Sequence, residues 1–133
     1  MNSFEGHIAT IEVSGNMSLV TVAVDKKQTL KAIVIETPET ASYLKSGSPV
    51  HVLFKETEVV IGSTKNHEIS LQNRIPGTIN HIEQGLLLSK LEIQTKVGII
   101  RSIISTAAVL QLGLKKGKEV IAMIKLNELM LSP

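Results

Sequence analysis

The sequence predicts an all-β chain built as two tandem copies of one small barrel. Three observations carry that prediction. The chain is 43% hydrophobic yet holds one Tyr, two Phe and no Trp, so its apolar content comes from Ile, Val and Leu, a composition that favours strands. Its apolar residues recur in short alternating runs, the period of a strand with one buried face. The second half also repeats the first: Phe4-Glu5-Gly6-His7-Ile8-Ala9-Thr10-Ile11-Glu12 aligns with Ile75-Pro76-Gly77-Thr78-Ile79-Asn80-His81-Ile82-Glu83 at an offset of 71. Gly47-Ser48-Pro49-Val50 aligns with Gly117-Lys118-Glu119-Val120, Lys55 with Lys125 and Glu58 with Glu128, all at an offset of 70. One deletion reconciles the two offsets, and the repeat decides for two very small domains over one ordinary one.

Each copy reads the same way along its length. His7 to Val13 alternates as a strand, and Ser14-Gly15-Asn16 punctuates a turn. Leu19 to Val24 and Thr29 to Ile35 flank Asp25-Lys26-Lys27-Gln28, a polar link of hairpin length, and Lys90 to Thr95 and Gly98 to Ile104 repeat the hairpin around Lys96-Val97. Thr37 to Leu44 departs from strand periodicity. Thr37-Pro38-Glu39 resembles a capped start and Lys45-Ser46-Gly47 a stop, which predicts one or two helical turns, with Thr106 to Leu114 as the counterpart. Val50 to Phe54 and Val120 to Ile124 are the next strands, and Val59-Val60-Ile61 and Leu129-Met130-Leu131 are short closing strands. Four or five strands and one helical turn per copy suit a small OB-like Greek-key barrel.

Gly62-Ser63-Thr64-Lys65-Asn66-His67-Glu68 is polar and almost free of apolar residues. It divides the chain into a first domain at residues 1–62, a linker at 63–69 and a second domain at 70–133. A domain of about 60 residues buries a modest core, so packing of the copies against each other or oligomerisation is expected to supply the rest.

Composition also excludes several classes of function. With no Cys there are no disulfides, thiolate metal sites or thiol nucleophiles. The sequence has neither a secretory leader pattern nor a run near the roughly 20 apolar residues that span a bilayer, and the expectation is a cytoplasmic protein. Fourteen Lys and Arg against twelve Asp and Glu give a net charge of +2, too mild to gather a polyanion by field alone. His7, His51, His67 and His81 lack metal-ligand spacing. Glu56 and Glu58 read as like charges on one strand face, turned to solvent. Gly113-Leu114-Lys115-Lys116-Gly117 follows a helical turn instead of leading into one, so it reads as a helix C-cap and not as a phosphate loop. Single-stranded nucleic acid needs aromatic platforms along a basic groove, but Tyr43 falls in a helical turn and Phe4 and Phe54 read as core. No nucleophile or acid–base pair marks an enzyme.

What remains is a recurrence of hydroxyl, amide and lysine groups at element junctions: Ser70-Leu71-Gln72-Asn73, Ser102, Ser105-Thr106 and Lys125. Such groups surround a fully oxygenated dianion with donors, and they equally serve as ordinary strand ends and helix caps.

The run from Ser102 through Ser105-Thr106-Ala107-Ala108, Gly113-Leu114-Lys115-Lys116-Gly117 and Val120 to Lys125 resembles, without a gap, the central stretch of the molbindin or Mop family of molybdenum-pterin-binding proteins, also called TOBE domains. Ser70-Leu71-Gln72-Asn73 is similar to that family's Ser-Ala-Arg-Asn opening, with Gly77 four residues after Asn73. The first copy matches through Gly6, Ala32-Ile33-Val34, Gly47, Val50 and Phe54-Lys55. The tandem form resembles free-standing di-molbindins and the ligand-binding half of the molybdate-responsive transcription regulator, with no helix-turn-helix segment ahead of it.

The resemblance implies OB-type barrels that bind molybdate or tungstate at interfaces between domains or between the subunits of a homo-oligomer, a dimer or trimer. By position it assigns Ser70 to the opening serine, Ser105 to a ligand hydroxyl, Lys125 to the lysine that neutralises the anion and Lys55 to the same place in the first copy. Gln72 stands where the family usually has Arg, which removes a charged, forked donor. Ala108 replaces a common ligand serine, and Ile35 and Pro38 stand at the first copy's two hydroxyl positions. These features lead to an oxyanion binder for storage, homeostasis or sensing, with a ligand-free interaction module of the same fold as the alternative.

Overall fold

The computed structural model describes residues 1–133 and contains ten strands and one α-helix. The first copy contributes β1 (Asn2–Ser14), β2 (Met17–Ala23), β3 (Thr29–Val34), β4 (Pro49–Phe54) and β5 (Val60–Gly62). The second contributes β6 (Asn73–Gln84), β7 (Leu88–Thr95), β8 (Gly98–Ser105), α1 (Thr106–Gln111), β9 (Glu119–Ile124) and β10 (Met130–Ser132). A 3₁₀ turn precedes each closing strand, at Glu56–Glu58 and at Leu126–Glu128.

β1 and β6 are the long spines. Each pairs with β4 or β9 over its first half and with β2 or β7 over its second. A bulge between Ile8 and Thr10, and its equivalent between Ile79 and His81, marks the change of partner and bends the sheet there. At the bulge the spine bonds to the loop ahead: Gly47 N–H donates to Ile8 at 2.7 Å and Gly117 N–H to Ile79 at 2.8 Å. Those loop glycines have φ of 90° and 91°, a region that L side chains avoid. Gly6 and Gly77 answer a different constraint. A Cβ at Gly77 would stand 2.7 Å from the Gln94 carbonyl oxygen, and one at Gly6 2.6 Å from that of Ala23.

The expected helical turns differ between the copies. Ser105 caps α1 by accepting a hydrogen bond from Ala108 N–H at 3.0 Å. In the first copy Ile35 stands at that position, and the segment makes one bond of α-helical spacing, Ala41 N–H to Thr37 O at 2.9 Å, without extending into a helix.

The sheets do not follow the halves of the chain. One has the order β10-β4-β1-β2-β3 and the other β5-β9-β6-β7-β8. Met130 lies opposite Leu53 and Val60 opposite Met123, so each copy's closing strand completes the sheet of the other. The 24 buried residues of the core form one continuous cluster drawn from both copies, which includes the rings of Phe4 and Phe54, 5.9 Å apart.

Truncation after Glu128 tests the exchange. It removes β10 and the buried Leu129, and amide-exchange protection is expected to fall at β4, in the first sheet, while β9 stays protected. Were each copy to close its own sheet, β9 would lose protection instead.

Candidate functional site

Strand exchange creates two equivalent junctions where one copy's closing segment crosses onto the other. At the first, β9 ends at Ile124 opposite Asn73. The chain then passes through Lys125 into the 3₁₀ turn Leu126–Glu128, which packs on β3. The Asn73 amide reaches β3 as well: Nδ2 donates to the Lys31 carbonyl at 2.8 Å, and Oδ1 accepts from Lys31 N–H at 2.8 Å. The side chain acts as an extra peptide group on the edge of that sheet. Arg74 organises the approach, its Nε donating to Leu71 O at 2.8 Å and its Nη2 to His67 O at 2.9 Å and Ile69 O at 3.1 Å. These contacts bracket Ser70, which is exposed, as are Gln72 and Lys125.

At the second junction β4 ends at Phe54 opposite Asn2, and Lys55 leads into the 3₁₀ turn Glu56–Glu58, which packs on β8. Asn2 grips Arg101 as Asn73 grips Lys31, with Nδ2 to Arg101 O at 2.9 Å and Arg101 N–H to Oδ1 at 2.8 Å. Ser102, fully buried, donates to the Val59 carbonyl at 2.9 Å. Here the carboxylates Glu56 and Glu92 are paired. Glu56 lies 3.5 Å from Lys90 Nζ and 3.4 Å from the terminal ammonium, and Glu92 lies 3.4 Å from Arg101 Nε. The strand expected to carry Glu56 to solvent ends at Phe54, and the 3₁₀ turn swings Glu56 onto β7, where its side chain is only 19% exposed. Burial opposes the Glu56 charge, but the hydrogen bond from the ammonium and the field of Lys90 outweigh it, so the carboxyl titrates below its ordinary range.

The remaining hydroxyls form a third group. Ser105 caps α1. The Thr106 hydroxyl is buried between Ser89 Oγ at 2.8 Å and Gly85 O at 2.9 Å, and Thr106 N–H donates to Leu87 O at 2.8 Å. Together they tie the helix to the β6–β7 turn. In the first copy Ser18 Oγ donates to the Glu36 carbonyl and Tyr43 Oη to the Glu36 carboxylate, both at 2.6 Å. Burial, then the hydrogen bond and charge of Glu36, raise the Tyr43 hydroxyl well above its ordinary value.

The structure therefore gathers Ser70, Gln72, Asn73 and Lys125 at one junction, places Lys55 and Ser102 at the other, and sets Ser105 and Thr106 under a hairpin tip. Sequence reasoning missed Asn2, Lys31 and Arg74. The offset of 71 between Asn2 and Asn73 was the available signal for the first. A surface depression of about 690 Å³ is lined by Glu5, His7, Asp25, Lys26 and His51 among others and includes none of these residues. Its two carboxylates oppose a dianion.

Replacing Asn73 by Ala leaves the Lys31 backbone N–H and carbonyl without their partner. Unsatisfied groups of this kind cost roughly 1–3 kcal/mol each, so a loss of about 2–6 kcal/mol for the two is expected in urea unfolding. Asn2→Ala is expected to match it, since the two amides do the same work.

The fold has recognisable relatives. The cytoplasmic molybdate-binding protein ModG, in a form with molybdate bound, is similar at 25% sequence identity with a TM-score of 0.91, over 98% of this chain and 94% of that one. MopII from Clostridium pasteurianum is 32% identical with a TM-score of 0.42, over 44% of this chain and 88% of its own. A search of curated protein sequences finds no match. The TOBE domain profile matches twice, over residues 1–61 and 69–131. With almost its whole length covered by that pair of matches, the chain belongs to the TOBE domain family.

Proposed function

We propose that this chain binds molybdate or tungstate and serves as a cytoplasmic store, buffer or sensor of the oxyanion, without catalysing a reaction. The observation that carries the reading is likeness across the whole chain to a molybdate-bound protein of the same two-copy size. On this reading residues 1–62 and 70–133 are the two domains and 63–69 the linker, although each domain borrows its last strand from the other.

Ser70, Gln72 and Lys125 present exposed polar groups at one junction. A hydroxyl, an amide and an ammonium suit a tetrahedral dianion, and the charged hydrogen bond is the strongest of the set. Asn73 and Ser102 act behind the surface, because their polar atoms are engaged with Lys31 and Val59. Thr106 is likewise engaged, and it holds the Ser105 cap against the hairpin. One face of the anion at this junction remains open to a second copy of the chain. A homo-oligomer, dimer or trimer, would then complete the donor shell.

The alternative, an interaction module without a ligand, is favoured by one feature. Leu86, Leu87 and Leu88 at the β6–β7 tip are 94%, 78% and 60% exposed, and Leu110 on α1 is 68% exposed. So much apolar surface at one end is a contact surface. No helix is long and apolar enough to cross a membrane.

Calorimetric titration with molybdate, with sulfate as control and light scattering for the subunit count, separates the two readings. Saturable, molybdate-selective heat at a fixed ratio per oligomer is expected, and Lys125→Ala is expected to weaken it at least about tenfold, the value of one charged hydrogen bond. A stable oligomer that gives no heat with molybdate or tungstate selects the interaction module.

A further inference from the structure

The two junctions have the same backbone but differ in electrostatics. At the Lys55 junction Glu56 faces Lys90 at 3.5 Å and Glu92 faces Arg101 at 3.4 Å. At the Lys125 junction the equivalent positions hold Leu126 for Glu56, Leu19 for Lys90 and Thr21 for Glu92, while Lys31 stands for Arg101. Both acidic partners are gone there and a cation remains. Asn73 links the two lysines in space: it lies opposite Ile124, which precedes Lys125, and its amide holds the backbone of Lys31. Arg74 adds a third positive charge whose hydrogen bonds all go to neutral carbonyls.

We infer that the chain is an asymmetric binder: the Lys125 junction takes the oxyanion, with Lys31 as a second cationic contact from the other copy, and the Lys55 junction does not take it. This rests on the oxyanion reading above. At the Lys55 junction an incoming dianion meets Glu56 and Glu92, two like charges already matched to the local cations. To bind, it must displace a carboxylate that the fold supplies at high effective concentration. At the Lys125 junction Leu126, Leu19 and Thr21 replace Glu56, Lys90 and Glu92, and although Glu128 lies in the same turn, Lys31, Lys125 and Arg74 make no ion pair, so their charges remain available. The exchange of closing strands makes Lys31 a partner, since it brings the turn after Lys125 against β3.

The test is molybdate calorimetry on the full-length chain with Lys31→Ala, Lys31→Gln and Lys55→Ala. Thermal melts serve as a control, because the Lys31 contacts to Asn73 are made by the backbone and survive both substitutions. Lys31→Ala and Lys31→Gln are expected to weaken molybdate binding at least about tenfold with unchanged melting, while Lys55→Ala shifts affinity by less than about twofold and leaves the stoichiometry unaltered. Equal losses for Lys31→Ala and Lys55→Ala, or an unaltered affinity in both Lys31 variants, overturn the asymmetry and leave the oxyanion reading standing. An absence of binding by the unsubstituted chain overturns both.

Discussion

The exchange of closing strands is the constraint on which the rest of this molecule depends. A copy of about 60 residues buries too little surface to stand comfortably alone, and neither copy here completes its own sheet. β5 finishes the second sheet and β10 the first, which merges two marginal cores into one cluster. Asn2 and Asn73 reinforce the crossing by offering a side-chain amide to the edge strands β8 and β3. Without the amides, the N–H and C=O of Arg101 and Lys31 would lack partners where two sheets meet. The same geometry delivers the lysine after each penultimate strand, and the turn that follows it, to a surface built by the other copy.

Much of the architecture was legible in the sequence, for identifiable reasons. Alternation is read residue by residue, so the strands from His7 to Val13 and from Lys90 to Thr95 emerge with little ambiguity, and the repeat shows itself in Gly6 and Gly77, whose lack of a Cβ the close approach of β2 and β7 demands. The partners of β5 and β10 were not legible. Three-residue strands carry no register information, and two equivalent sheets offer two equivalent edges. Glu56 was misplaced for a related reason: its alternation with Glu58 suits a strand, and only the third dimension shows the chain turning at Lys55 to bring the carboxylate against Lys90.

At the candidate site, residue type proved more legible than role. Asn73 and Ser102 drew attention as hydrogen-bonding groups, and both are such groups, but their hydrogen bonds are spent inside the protein. A buried amide bonded at both ends positions the backbone it grips. Lys31 gave no sequence signal, since a lysine in a half-buried strand position is ordinary until Asn73 is seen to grip its backbone.

The repeat preserves backbone and relaxes side chains, and that division explains how two sites of one fold come to differ. A partly exposed ion pair such as Glu56 with Lys90 contributes little net stability, on the order of 0–1 kcal/mol, and the apolar residues Leu126 and Leu19 at the equivalent positions leave the strand order unchanged. Stability is therefore nearly indifferent to the choice, whereas the local potential is not. Removing a carboxylate and keeping a lysine changes the charge that a dianion meets at contact distance. Differences of that kind accumulate in a duplicated protein without threatening its fold, and they fall on the junctions because there one copy's side chains set the environment of the other's.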